Sequence, residues 1–323
     1  MKPPRAPSTD GPPRSTESAA GPGDRTAGRS MAEAVIVNGR RLQGPSPQAR
    51  SQAAPDAPIS PFERGLHFGD GLFETIACRN RRPRFLRLHL ERLALGCQRL
   101  RIPPPDPDEL RREIRSLAGE APSAIIKLIL TRGVATSRGY APSGAELPTR
   151  ITFRYRWPAQ DAAAVQDGVA VRTARLRLGE NPVLAGLKHL NRLEQVLAKA
   201  EFPDTRIAEA LLFSRSGNVI CGTMTNVFIV RGQAIHTPAV DLCGVAGVMR
   251  RVVMQEGARG GLQIRERVLD ATDLGEADEV FLTNARIGIW PVRELDGRAI
   301  KPGPLTRELQ RLLGPLLEEP SDD

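Results

Sequence analysis

Residues 184–195 read LAGLKHLNRLEQ, and they place a single lysine, Lys188, between turn formers and a run with helical spacing. Asn181, Pro182 and Gly186 break the chain before it, while Leu190, Leu193 and Leu197 recur at helical intervals after it. The pattern predicts a loop-to-helix junction at Lys188. A lysine held there away from water and near other cations keeps its amine neutral, and a neutral amine condenses with an aldehyde. A solvated surface lysine has the same local sequence. Against that plainer reading, the chain has only a handful of lysines on an arginine-rich background.

The 323 residues, 40% of them hydrophobic, suffice for a sizeable core and two modest domains. No apolar run approaches membrane-spanning length, and the first thirty residues lack the apolar stretch of a secretory signal. A soluble cytoplasmic protein is the expectation. Cys78, Cys97, Cys221 and Cys243 have no metal-ligand spacing, so neither zinc nor a disulfide framework is expected. The net charge of +9 is scattered and aromatics make up only 4%, which argues against nucleic-acid binding.

Residues 1–30 are Pro, Gly, Ser and charge, too polar to offset the entropy of ordering, and are expected to be disordered. From Met31 an alternating stretch points Val35 and Val37 at a core, with Asn38-Gly39 as a hairpin turn. Residues 43–60 read as a mobile insertion. A strand around Phe73, Thr75 and Ile76 leads into a helix from Arg87 with Leu88, Leu93, Leu95 and Leu100 as its apolar face. On that helix Arg92 has the planar fork that suits a phosphate, although a surface arginine fits the same pattern.

A charged amphipathic helix over 107–120 and strands from Ile125 and over 148–158 close a first α/β unit, 31–158. A linker over 159–167 follows. The second unit, 168–318, opens on VAVRTARLRL, passes through Lys188 and continues as a meander through LLF, VIC and NVFIV. Val245 to Met254 have helical periodicity, so the N–H groups of Val245 and Ala246 are expected at a helix N-terminus, a ready anion site. A helix with no ligand shows the same letters. The closing segment places Leu305, Leu309, Leu312 and Leu316 on one face of a docking helix.

Three blocks, around Arg92, Lys188 and residues 243–254, resemble in order the fold-type IV family of pyridoxal phosphate enzymes. The segment at Lys188 is similar above all to that of the family's aminodeoxychorismate lyases. The resemblance implies a two-domain α/β (α+β) fold with a barrel-like core in the larger C-terminal domain and pyridoxal 5'-phosphate between the domains. It implies Lys188 as cofactor lysine and base, and Arg92 with Val245 and Ala246 around the phosphate. Arg138 and Tyr140, in an arginine-glycine-tyrosine loop, and Asn284 are implied on the substrate side, a solvated loop being the alternative for the first two. A homodimer is also implied.

One position departs from the family. Cys221 stands where a glutamate usually pairs with the pyridine nitrogen. Either the ring is a weaker electron sink, or a Cys221 thiolate pairs with the pyridinium. Cleavage of aminodeoxychorismate to 4-aminobenzoate and pyruvate, which gains an aromatic ring, is the activity implied. An aminotransferase of D- or branched-chain amino acids is the alternative.

Overall fold

The structure, a computed structural model, describes residues 32–42, 59–136, 138–158 and 162–320. The expectations for residues 1–30, for the start at Met31 and for nearly all of the 43–60 insertion lie outside them.

The N-terminal half contains β1 (Ala32–Val37), β2 (Arg40–Leu42), α1 (Arg64–Phe68), β3 (Gly71–Arg79), β4 (Arg82–Pro83), α2 (Leu86–Leu100), α3 (Pro107–Gly119), β5 (Ser123–Thr131) and β6 (Thr149–Arg156). Its six strands form one antiparallel sheet in the order β2-β1-β6-β5-β3-β4. β-branched and aliphatic residues alternate along β3 and β5, so Leu72, Ile76, Ile126, Leu128 and Leu130 face one core with the inner sides of α2 and α3. The buried stripe of α2 is Leu86, Leu90, Leu93 and Cys97, whereas Leu95 is exposed. Of the expected apolar face, Leu88 and Leu93 are buried and Leu100 packs against the core, so only Leu95 departs from it. In β1 Ala34 and Ile36 join the core; on the opposite pleat Val37 is buried as expected, while Val35 is only half-buried. Asn38 and Gly39 both take positive φ, as a tight hairpin requires.

The C-terminal half contains α4 (Ala162–Gln166), β7 (Val169–Leu178), α5 (Leu193–Ala200), β8 (Ile207–Ser214), β9 (Val219–Gly222), β10 (Asn226–Arg231), β11 (Ala234–Pro238), α6 (Val248–Arg259), β12 (Gln263–Arg267), α7 (Ala271–Gly275), β13 (Glu279–Asn284), β14 (Gly288–Leu295), β15 (Arg298–Ala299) and α8 (Pro304–Glu318). Nine strands run β12-β11-β10-β13-β14-β7-β8-β9, with β15 on β14, in a curled mixed sheet. Helices α6 and α8 pack on it through Val248, Met249, Val252, Leu309 and Leu313, around a parallel stack of Phe228 on Phe281 with centroids 4.9 Å apart. Leu316 is off that face and exposed.

The described residues cluster as one compact unit that contains both sheets. α4 falls within the stretch expected as a linker. Among the described residues no helix is long and apolar enough to cross a membrane.

Candidate active site

Lys188 lies where three segments meet. The first is the start of β3. Phe73 N–H donates to the Lys188 carbonyl at 2.9 Å and Leu190 N–H to the Gly71 carbonyl at 2.9 Å, so residues 188–190 run beside β3 as one extra rung. Gly71 permits this crossing, because a Cβ there would stand 2.5 Å from the Leu130 carbonyl oxygen and 2.8 Å from Leu190 Cδ1. Lys188 is therefore in extended backbone. The helix begins only at Leu193, with Leu193, Val196 and Leu197 facing solvent. The junction expected from sequence is thus five residues late, and its leucines do not form a core face.

The second segment is the approach to α6. Gly186 N–H donates to the Gly244 carbonyl, and Ala246 N–H to the Gly186 carbonyl, each at 3.0 Å. This corrects the expectation for Val245 and Ala246. Gly247, in extended conformation, is the N-cap and delays the helix to Val248. The Ala246 N–H is already spent, and the first-turn N–H groups without an intrahelical acceptor are those from Val248 onward. No side chain caps them. Asn226 holds the approach from below, its Nδ2 donating to the Val245 carbonyl at 2.9 Å. A Cβ on Gly247 would fall 2.0 Å from Asn226 Oδ1, so the close approach demands glycine.

The third segment is α2 with β3. Arg92 donates through Nε to Glu74 Oε1 at 2.8 Å, through one terminal nitrogen to Oε2 at 2.5 Å, and through the other to the Ala246 carbonyl at 3.0 Å. Of five guanidinium N–H groups two remain, beside the open N-terminus of α6. A fork and a helix N-terminus meeting in this way suit a phosphate. Glu74 also takes His89 Nδ1 at 2.7 Å. Burial alone raises a carboxyl, yet the adjacent Arg92 and His89 hold Glu74 down to about 2. Sequence reasoning missed Glu74; the available signal was an acid in the middle of an otherwise apolar strand.

Burial pushes the Lys188 amine down to about 7, and the Arg92 charge adds to the shift against the opposing pull of Glu74. Its Nζ lies 4.3 Å from the Phe73 ring centroid. The residue keeps part of its surface open, so the amine is both neutral for much of the time at pH 7 and reachable.

Cys221 is buried in a small apolar cluster with Leu212, Ala198 and Cys243. Burial pushes its thiol up to about 12, and the Glu209 carboxylate adds to that, so the thiol is protonated. Glu209, wholly buried, collects Thr223 N–H at 3.0 Å, Met224 N–H at 3.1 Å and both threonine hydroxyls of the 223–225 loop. Asn284 caps the Arg286 and Ile287 N–H groups and donates to the Met224 carbonyl, which ties two loops together. Arg138 and Tyr140 stand in an exposed loop, and Tyr140 lines a cavity with Asn191 and with His189, next to Lys188 in the chain. All four cysteines are buried free thiols.

Residues 71–295 match the family model described as amino-transferase class IV. The chain belongs to that family, and its fold is the fold-type IV arrangement. Within the family it is 38% identical over 252 residues to an aminodeoxychorismate lyase from Vibrio harveyi, covering 77% of this chain and 93% of that one. A 4-amino-4-deoxychorismate lyase of known structure from Pseudomonas aeruginosa superposes with a TM-score of 0.80 at 42% identity, covering 88% of this chain and 99% of that one. The branched-chain amino acid aminotransferase of Escherichia coli superposes at 0.76 with 25% identity, over 91% and 97% of the two chains.

Proposed function

We propose that this chain is a pyridoxal phosphate-dependent lyase that converts 4-amino-4-deoxychorismate into 4-aminobenzoate and pyruvate, serving folate synthesis. The observation that carries the reading is the meeting of a reachable, half-neutral amine at Lys188 with the paired Arg92 fork and the uncapped N-terminus of α6. The two lyases above, similar over most of their lengths, support it.

The donor set fits the cofactor. Arg92 and the Val248 and Met249 N–H groups would hold its phosphate, and Lys188 its aldehyde. When bound, pyridoxal phosphate supplies that aldehyde and a ring that withdraws electrons from the carbon bearing the substrate amine. Lys188 then serves as the base. Its amine, at about 7, takes the proton from the amine-bearing carbon as the ether C–O bond breaks and enolpyruvate leaves to become pyruvate. Glu74 keeps Arg92 aimed, and the Phe73 ring lies against the Lys188 amine.

Of the two states open for Cys221, its burial and the neighbouring Glu209 favour the neutral thiol, hence the weaker sink. A cleavage that yields an aromatic product tolerates this better than amino transfer does. The aminotransferase reading retains support from the putative branched-chain enzyme of Methanocaldococcus jannaschii, 32% identical over 262 residues, covering 79% of this chain and 90% of that one. Purified protein incubated with aminodeoxychorismate, beside Lys188→Ala, separates the two. The lyase releases 4-aminobenzoate and pyruvate in equal amounts and the variant neither; amino transfer to 2-oxoglutarate without 4-aminobenzoate would overturn it.

A homodimer is part of the proposal. Leu193, Val196 and Leu197 on α5 are each more than half exposed, an apolar strip that a second copy would cover. The cytoplasm suits the four free thiols.

A further inference from the structure

Arg64, on the five-residue helix α1, is 4% exposed, and no step above uses it. Its guanidinium donates through Nε to Asp70 at 2.9 Å and through its terminal nitrogens to the Tyr140 carbonyl at 2.7 Å and the Gly139 carbonyl at 3.5 Å. Its face lies 5.0 Å from the Phe68 ring, whose centroid is in turn 5.2 Å from that of Tyr140. Asp70 is shared with Arg132, which donates to it at 2.8 and 3.1 Å and also to the Leu100 and Arg101 carbonyls at the end of α2. The same helix carries Arg92. A continuous set of charged contacts therefore references the 138–140 loop to the helix of the phosphate fork.

Two guanidiniums on one carboxylate leave an excess positive charge. It borders a cavity of about 250 Å³ lined by Arg64, Asp70, Tyr140, His189 and Asn191. Such a wall favours carboxylates. The loop it holds has little else: Tyr140 is 83% exposed, and Gly139 sits at φ +107 with open space around it. A lysine has no second planar donor with which to reach both carbonyls and Asp70 together.

We propose that Arg64 is a positioning residue for the 138–140 loop, setting where Arg138 and Tyr140 stand toward an anionic substrate. The substrate half of this rests on the lyase reading; the loop half does not.

The test uses the full chain loaded with pyridoxal phosphate, as wild type, Arg64→Gln and Phe68→Leu. Trypsin cleavage after Arg138, followed by mass spectrometry, reads the loop directly. It should accelerate about tenfold in Arg64→Gln and less in Phe68→Leu, the scale set by loss of one or two hydrogen bonds. KM for aminodeoxychorismate should rise by a similar factor while kcat stays within about twofold, since the chemistry at Lys188 is untouched. An unchanged cleavage rate in both variants would overturn the proposal, as would a fall in kcat at constant KM. If the wild type made no 4-aminobenzoate the lyase reading would fail, and the cleavage rates would still decide the role of Arg64. Should Arg64→Gln not fold, Phe68→Leu carries the comparison alone, with Phe68 half-buried and the change conservative in volume.

Discussion

Glu74 on β3 and Arg92 on α2 form a two-point ion pair, at 2.8 and 2.5 Å, that turns the remaining guanidinium donors toward the start of α6. Glu74→Gln removes the charge that fixes this aim and leaves Arg92, only 12% exposed at its side chain, without its counter-ion. Stability should fall by about 3 kcal/mol, the usual scale for halving a buried pair. Affinity for pyridoxal phosphate should fall as well, by tenfold or so. Urea unfolding and equilibrium titration of the cofactor check the two effects separately.

Glu74 also predicts an acid limit. Its folded-state value of about 2 lies below the ordinary 4.5, so the stability it contributes is complete above pH 4.5 and disappears as pH falls toward 2. The wild type should lose stability across that window more steeply than Glu74→Gln, as read by urea midpoints at several pH values.

Lys188 titrates in a different range. Below pH 7 its amine is protonated and unreactive, and above pH 7 it is free, whereas a surface lysine near 10.5 would be less than about one part in a thousand neutral at pH 7. The rate at which cofactor-free protein takes up pyridoxal phosphate should rise through pH 7 and level off by about pH 8. Stopped-flow absorbance checks this, and a rise continuing to pH 10 would contradict a buried amine.

Cys221 at about 12 is too acid-weak to be nucleophilic, so it should resist iodoacetamide at pH 8 in the folded protein. Cys221→Glu introduces a charge into an apolar cluster and should lower the melting temperature, which a thermal scan reads. The same change should raise side transamination relative to 4-aminobenzoate release by about tenfold, the worth of one charged hydrogen bond.

The strands and the three converging blocks were legible because each has a local signature: alternation in β3, β5 and β7, the single lysine after its turn formers, and the glycines before α6. The meander expected through β8, β9 and β10 is not what forms, since β9 ends the sheet beside β8 while β10 pairs with β11 and β13. What was not legible depended on contacts between distant segments. The α6 start moved from Val245 to Val248 because Ala246 N–H is taken by Gly186, sixty residues earlier in the chain, a bond that no window of sequence contains. Leu193 and Leu197 have helical spacing yet face outward, since periodicity identifies an apolar side but not what covers it. Glu74 and Glu209 escaped notice for the reverse reason. A buried carboxylate is tolerable only with donors supplied from elsewhere, here α2 for one and the 223–225 loop for the other.

Borohydride reduction of the cofactor-loaded protein, followed by peptide mapping, tests the central claim most directly. A pyridoxyl group on Lys188, and none on Lys2, Lys127, Lys199 or Lys301, is the predicted result. A label on any of those four, or no label on a protein that has bound the cofactor, would contradict it.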